Sequence, residues 1–294
     1  MKTFKGFLLI SSLLLGGLKI ASAQENSPAT VQPPKVLVVA REFLKPGRGG
    51  MSHEKTESAF VQAFARAKWP THYLAADSLS GKTRSLFLIG YDSFDAWEKD
   101  TLAVQKDATL SAALGRAAAN DGELLSDTDG GVFAYHEEYS LRAPVDMPHM
   151  RYLEISVFHI RQGHEKDWEN LVRLVTPAYD KIPDAHWATY EEIYGGDGNI
   201  YVLFTPLKSA SEIDQALMQG KQFEAAMGEE GMKKLSELSA AAIDSSQSNL
   251  FALNPRMSYV SDDWIKADPD FWMPKPASKP VTAHKKAPQK PGGN

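Results

Sequence analysis

Two stretches of this 294-residue chain follow the same order, and that repetition constrains the fold more than any other feature. A Val/Leu-rich run closing at Pro46-Gly47 is followed by His53-Glu54-Lys55 and an amphipathic segment, and a similar run closing at Gln162-Gly163 is followed by His164-Glu165-Lys166 and another. From Ser52 to Lys68, apolar residues recur every three or four positions until Pro70 stops the pattern, the mark of a helix with one buried stripe. In the second stretch Trp168, Leu171, Val172 and Val175 form the corresponding stripe, which Pro177 should bend or restart.

The rest of each half continues in parallel. Strand-like runs 72–77 and 85–91 flank Ser80-Gly81-Lys82, and runs 186–194 and 199–205 flank Gly195-Gly196-Asp197-Gly198, so a hairpin is expected in each half. Helical stretches then begin at Ser93 and Ser211, and closing strands are expected at 132–141 and 249–260. Each half therefore reads β-α-β-β-α-β, a ferredoxin-like unit with helices on one face of an antiparallel sheet. The fold class is α+β: two tandem repeats, 35–142 and 151–260, packing sheet to sheet as a fused α+β barrel. Segments 24–34 and 143–150 are read as linkers.

The ends carry different signals. Lys2 and Lys5, an apolar stretch from Phe7 to Leu18 and Ala21-Ser22-Ala23 have the parts of a secretory leader, giving a signal peptide over 1–23 and a periplasmic or secreted chain. The apolar run is shorter than the roughly 20 residues a membrane span needs, so no span is expected after cleavage. With no cysteine, disulfides and thiolate metal sites are excluded. Residues 261–294, rich in Lys and Pro toward the end, are expected to be a disordered tail. Setting aside the three lysines of the leader and the five of the last twenty residues leaves 24 basic against 37 acidic residues, a net charge of −13. Such a body repels nucleic acid.

The βαββαβ order, Gly47 and Gly163 just after the first strand of each half, and the amphipathic helix that follows resemble the dimeric α+β barrel superfamily in a fused two-repeat form. Arg151-Tyr152-Leu153-Glu154-Ile155 followed by Gly163 is similar to the start of NIPSNAP-like members. The resemblance spans about residues 35–260. It implies the barrel, and it admits cofactor-independent monooxygenases, haem-degrading enzymes, chlorite dismutase relatives and binding proteins, so it does not choose a function.

The residues offer these candidates. The His-Glu-Lys triplets are read as helix entries, because Glu54 and Glu165 would face the positive helix end and adjacent helical residues point about 100° apart; no metal site is expected there. His136 and Glu138 share a strand face and form a base-and-carboxylate pair; with Glu154 and Tyr190 they are the catalytic set for a monooxygenase-type oxidoreductase. Along 151–160, Tyr152, Glu154, Ser156 and Phe158 share one face and Leu153, Ile155, Val157 and His159 the other. Aliphatics are assigned to the helix-covered side, which leaves Tyr152, Ser156 and Phe158, with Glu42 across from Phe158, as ligand-binding residues facing the space between the sheets. Aligning Gly47 with Gly163 also sets Val38 opposite Glu154, so the two walls differ. The leading expectation is a small, partly apolar or aromatic ligand in or beside an inter-repeat cavity; a structural or protein-interaction module is a further alternative. No nucleotide, hydrolase or zinc-protease signature occurs, and neither cofactor nor oligomeric state is legible.

Overall fold

The computed structural model describes residues 30–273. Residues 1–23, read as a leader, and residues 274–294 of the expected tail lie outside them. Eight strands close into one antiparallel barrel: β1 (Val36–Leu44), β2 (Tyr73–Ser78), β3 (Arg84–Tyr91), β4 (Leu125–Leu141), β5 (Tyr152–Ile160), β6 (Trp187–Tyr194), β7 (Ile200–Leu207) and β8 (Ile243–Leu253). Around the ring they run β1-β3-β2-β8-β5-β7-β6-β4. Each half thus contributes four adjacent strands in the same order, β4-β1-β3-β2 and β8-β5-β7-β6. Pairings β2 with β8 and β4 with β6 join the halves and leave no open sheet edge.

Helices cover the outside. The first half supplies α1 (Met51–Ala67), α2 (Phe94–Lys106) and α3 (Ala108–Gly122); the second supplies α4 (Glu165–Tyr179) and α5 (Ser211–Ala242). Local chemistry sets their limits. Ser93 accepts a hydrogen bond from the Ala96 amide at the start of α2, and Asp107 ends α2 and caps α3 through the Leu110 amide. Gly47 and Gly163 both sit at positive φ, 75° and 83°, in the turns out of β1 and β5, which explains why glycine stands at both places. Helix α5 is two arms meeting at Gly228, whose φ of 67° and ψ of 172° suit glycine alone.

The barrel interior is the main core. Leu37, Val39, Leu86, Leu88, Phe133, Leu153, Ile155, Val202, Phe204, Phe251 and Leu253 fill it. An eight-stranded barrel is just wide enough for its own side chains to fill, so the inward face takes the aliphatics. This reverses the assignment made from the sequence: Leu153, Ile155 and Val157 point inward, while Tyr152, Glu154, Ser156 and Phe158 lie on the opposite, helix-side face.

Further boundaries differ: β4 begins at Leu125 rather than Val132, because Asp129, Gly130 and Gly131 pair with β1, and the last strand of the second half ends at Leu253 rather than Val260. The last strand of the second half begins at Ile243 rather than Asn249, because it runs straight out of α5 and pairs with Ile160. Residues 261–273 are not a tail: α6 (Asp262–Ala267) and α7 (Pro269–Trp272) pack across one barrel end, where Trp272 is buried and its indole N–H donates to the Pro148 carbonyl at 2.8 Å. Aromatic burial by Trp264, Phe271 and Trp272 outweighs the local polar composition. Among the described residues, no helix is long and apolar enough to cross a membrane.

Candidate functional site

Two places between sheet and helices hold the chemistry, one in each half. Strand register relates them. Glu42 pairs with Ser85 and Ser85 with Asp77; in the other half Phe158 pairs with Tyr201 and Tyr201 with Glu191. The first buried residue of α1 facing this spot is His53, and that of α4 is Trp168. One turn later come Glu57 and Val172. The first half is polar at these positions and the second mainly aromatic and apolar.

In the first half, His53 Nε2 lies 3.0 Å from Glu42 Oε2 and 3.4 Å from Asp121 Oδ1, with the imidazole buried. Glu57 joins them because residues four apart share a helix face. His53 Nδ1 is 3.3 Å from the Ser85 hydroxyl, which donates to Asp77; Asn254 holds the other Asp77 oxygen at 2.7 Å. Thr56 donates to Asp121 Oδ1. Burial alone would depress the His53 pKa, but the hydrogen bonds to Asp121 and Glu42 and the charge of Asp121 overcome it and raise it to about 10. Burial, followed by repulsion from Glu42 and Asp121, raises Glu57 to about 9. One oxygen of Glu57 and one of Asp121 are buried with no hydrogen-bond partner among the described residues.

The helix-entry reading of His53 is therefore incomplete. The relevant partner is not the neighbouring Glu54 but Glu57 on the same face, together with Glu42 and Asp121 from other elements. The i, i+4 spacing was legible; the convergence of β1 and α3 upon it was not. His164 behaves as a helix-entry residue, partly exposed and 2.9 Å from Asp167, while Glu165 accepts from the Gly163 amide at 3.1 Å.

In the second half a cavity of about 540 Å³ lies beneath α4 and α5. Its walls include Phe158, Trp168, Tyr179, Trp187 and Phe223, with Glu154 and Ser156 on the strand side. Phe158 and Trp168 pack at 5.3 Å between ring centroids, and Tyr179 and Phe223 at 4.5 Å. Both arms of α5 contribute, Phe223 before Gly228 and Leu235 after it. Ser156 shares a 2.7 Å hydrogen bond with Ser248. Among the described residues, the Glu154 carboxylate has no side-chain hydrogen bond or ion pair, and its charge helps burial to raise the pKa of Tyr179. A second cavity, about 610 Å³, opens at the barrel end covered by α6, with Leu153, Tyr190, Pro34 and Trp264 in its lining.

The sequence-derived set is divided by this geometry. Glu154, Ser156 and Phe158 share the cavity under α4 and α5, but Tyr152 does not line it, and Glu42 belongs to the polar cluster of the other half. His136 does meet Glu138, at 3.0 Å through Nδ1, and also Glu191, at 2.8 Å through Nε2. Its ring stacks on Tyr139 at 5.0 Å. Tyr190 lies on the other side of the sheet, inside the barrel, where its hydroxyl donates to the Pro34 carbonyl at 3.1 Å. His136 and Glu138 therefore cannot share one substrate atom with Tyr190, because the strand backbone separates them.

No family model matches the chain, and no curated protein matches it. Among solved structures it is similar to a monooxygenase candidate of Fusobacterium nucleatum, with 11% identity and a TM-score of 0.48 over 76% of this chain and 94% of that one. An anthrone oxidase-like protein gives 11% and 0.47, over 74% and 91% of the respective chains. A chlorite dismutase variant from Candidatus Nitrospira defluvii gives 10% and 0.43, over 77% and 93%. At such identities and scores, no residue role passes from those proteins to this chain.

Proposed function

We propose that this is an exported two-repeat α+β barrel protein that binds a small, largely aromatic molecule carrying one hydrogen-bond donor, in the cavity beneath α4 and α5. Export rests on the leader-like N-terminus, and the repeat on the shared strand order of the two halves. The observation that carries the binding reading is an aromatic-walled space with an unpaired carboxylate, Glu154, on its floor. Apolar walls supply affinity through dry contact, and a few polar groups fix orientation. An unpaired carboxylate accepts but cannot donate, so it favours a hydroxyl or amine over an acid. The barrel-end cavity is larger but is lined chiefly by the aliphatic interior and by the segments that cap it, which makes it the weaker candidate.

Calorimetric titration with 2-naphthol and naphthalene tests this. The wild-type chain should take up one equivalent of either compound. Val175→Trp, which fills the cavity from α4, should abolish uptake of both. Equal binding by wild type and Val175→Trp, or none by wild type, would overturn the reading.

A further inference from the structure

We propose that Glu42, His53, Glu57 and Asp121 hold one divalent transition-metal cation, a site independent of the aromatic cavity. The four side chains come from β1, α1 and α3, and each offers one donor atom lying within 4.8 Å of the others. A tetrahedral ion with bonds of about 2.1 Å sets its donors roughly 3.4 Å apart. The distances from His53 Nε2 to the Glu42 and Asp121 oxygens, 3.0 and 3.4 Å, already have that scale.

Two observations point to a ligand beyond the clustering itself. Glu57 and Asp121 are 3% and 1% exposed, yet Glu57 Oε1 and Asp121 Oδ2 have no hydrogen-bond partner among the described residues. Buried carboxylate oxygens are normally satisfied, because stripping their water is costly. The imidazole is also held as a ligand would be. An N–H at Nδ1 can donate to Ser85, which donates on to Asp77, anchored in turn by Asn254. That leaves Nε2 facing the carboxylates, where a metal ion would take the place of its proton, and such outer contacts commonly orient metal-binding histidines.

The donor set narrows the ion. One imidazole nitrogen with three carboxylates suits Zn²⁺, Mn²⁺ or Fe²⁺, whereas Ca²⁺ collects six to eight oxygens and Mg²⁺ keeps several waters. A dication would also offset the negative charge of the carboxylates that it draws together. The corresponding positions of the second half carry Phe158, Trp168 and Val172, which are not ligands, so the second half has no copy of this site.

The test uses tag-free full-length chain stripped with EDTA and titrated separately with Zn²⁺, Mn²⁺ and Co²⁺, the last reporting its ligands through visible absorption. Wild type should take up one equivalent of at least one of these ions, with a rise in Tm. Glu57→Gln and Asp121→Asn keep side-chain size, and each should lose saturable uptake; Ser85→Ala should weaken it about 10- to 100-fold. His136→Ala, at the separate His136–Glu191 pair, should bind as wild type does. Absence of saturable uptake by the wild-type chain overturns the proposal. So does equal uptake by wild type and whichever of the two ligand variants remains folded, or uptake lost in His136→Ala.

Discussion

His53 meets Glu42 at 3.0 Å at the place under α1 where, in the other half of the barrel, Trp168 meets Phe158 under α4 with ring centroids 5.3 Å apart. The same strand-and-helix position is thus an ion pair in one half and an aromatic pair in the other. This difference assigns polar chemistry to the first half and an apolar cavity to the second.

Glu154 should act as the orienting group of that cavity. Glu154→Gln retains size but removes the charge that strengthens a hydrogen bond from a ligand hydroxyl. Such bonds to charged groups contribute about 1.5–3 kcal/mol. Calorimetry should therefore show 2-naphthol binding weakened by roughly ten- to a hundredfold, with naphthalene binding unchanged. Equal losses for both compounds would remove Glu154 from that role.

Ser85 is fully buried and bridges His53 to Asp77. Ser85→Ala deprives both groups of a partner without opening a large cavity. Urea unfolding of metal-free protein should show a loss of about 1–3 kcal/mol, the cost of unsatisfied buried polar groups. No change in midpoint would mean that the bridge contributes nothing to stability.

Trp272 closes the barrel end although it belongs to a segment whose composition resembles a tail. Trp272→Ala should cost about 3–5 kcal/mol, as expected for a large buried aromatic. Deleting residues 274–294 should leave the unfolding midpoint unchanged. A mild effect of Trp272→Ala combined with a large effect of the deletion would reverse this placement.

Glu192 gives a pH signature away from the His53 cluster. It is buried, its Oε1 has no hydrogen-bond partner among the described residues, and desolvation raises its pKa above 4.5 despite the opposing charge of Arg41. The folded state thus prefers the neutral acid more than the unfolded state does. Its contribution to stability is greatest below the ordinary carboxylate range and is lost as pH rises through the raised pKa. Relative to Glu192→Gln, wild type should lose Tm as pH rises from 4.5 toward neutrality. A difference in Tm that does not vary with pH would show that Glu192 is not shifted.

Much of this architecture was legible because periodicity and turn chemistry are local. The β-α-β-β-α-β order, the glycines after β1 and β5 and the hairpin around Gly81 follow from residues close in sequence. Facing was not legible for β5. Alternation separates Leu153 from Glu154, but only closure of the barrel decides which set fills its interior. The site was legible in fragments. Glu154, Ser156 and Phe158 could be grouped because one strand carries them, and His136 with Glu138 for the same reason. The association of Glu42, His53, Glu57 and Asp121 depends on three elements meeting across up to 79 residues of sequence, from Glu42 to Asp121. Within it, the four-residue spacing of His53 and Glu57 was the available local signal.

The location of a bound ligand tests the central claim most directly. A crystal of the full-length chain grown with 6-bromo-2-naphthol should give an anomalous bromine peak among Phe158, Trp168 and Phe223, with the hydroxyl toward Glu154. A peak confined to the barrel end beside Tyr190 and Trp264, or no bromine site in a crystal grown at saturating ligand, would contradict it.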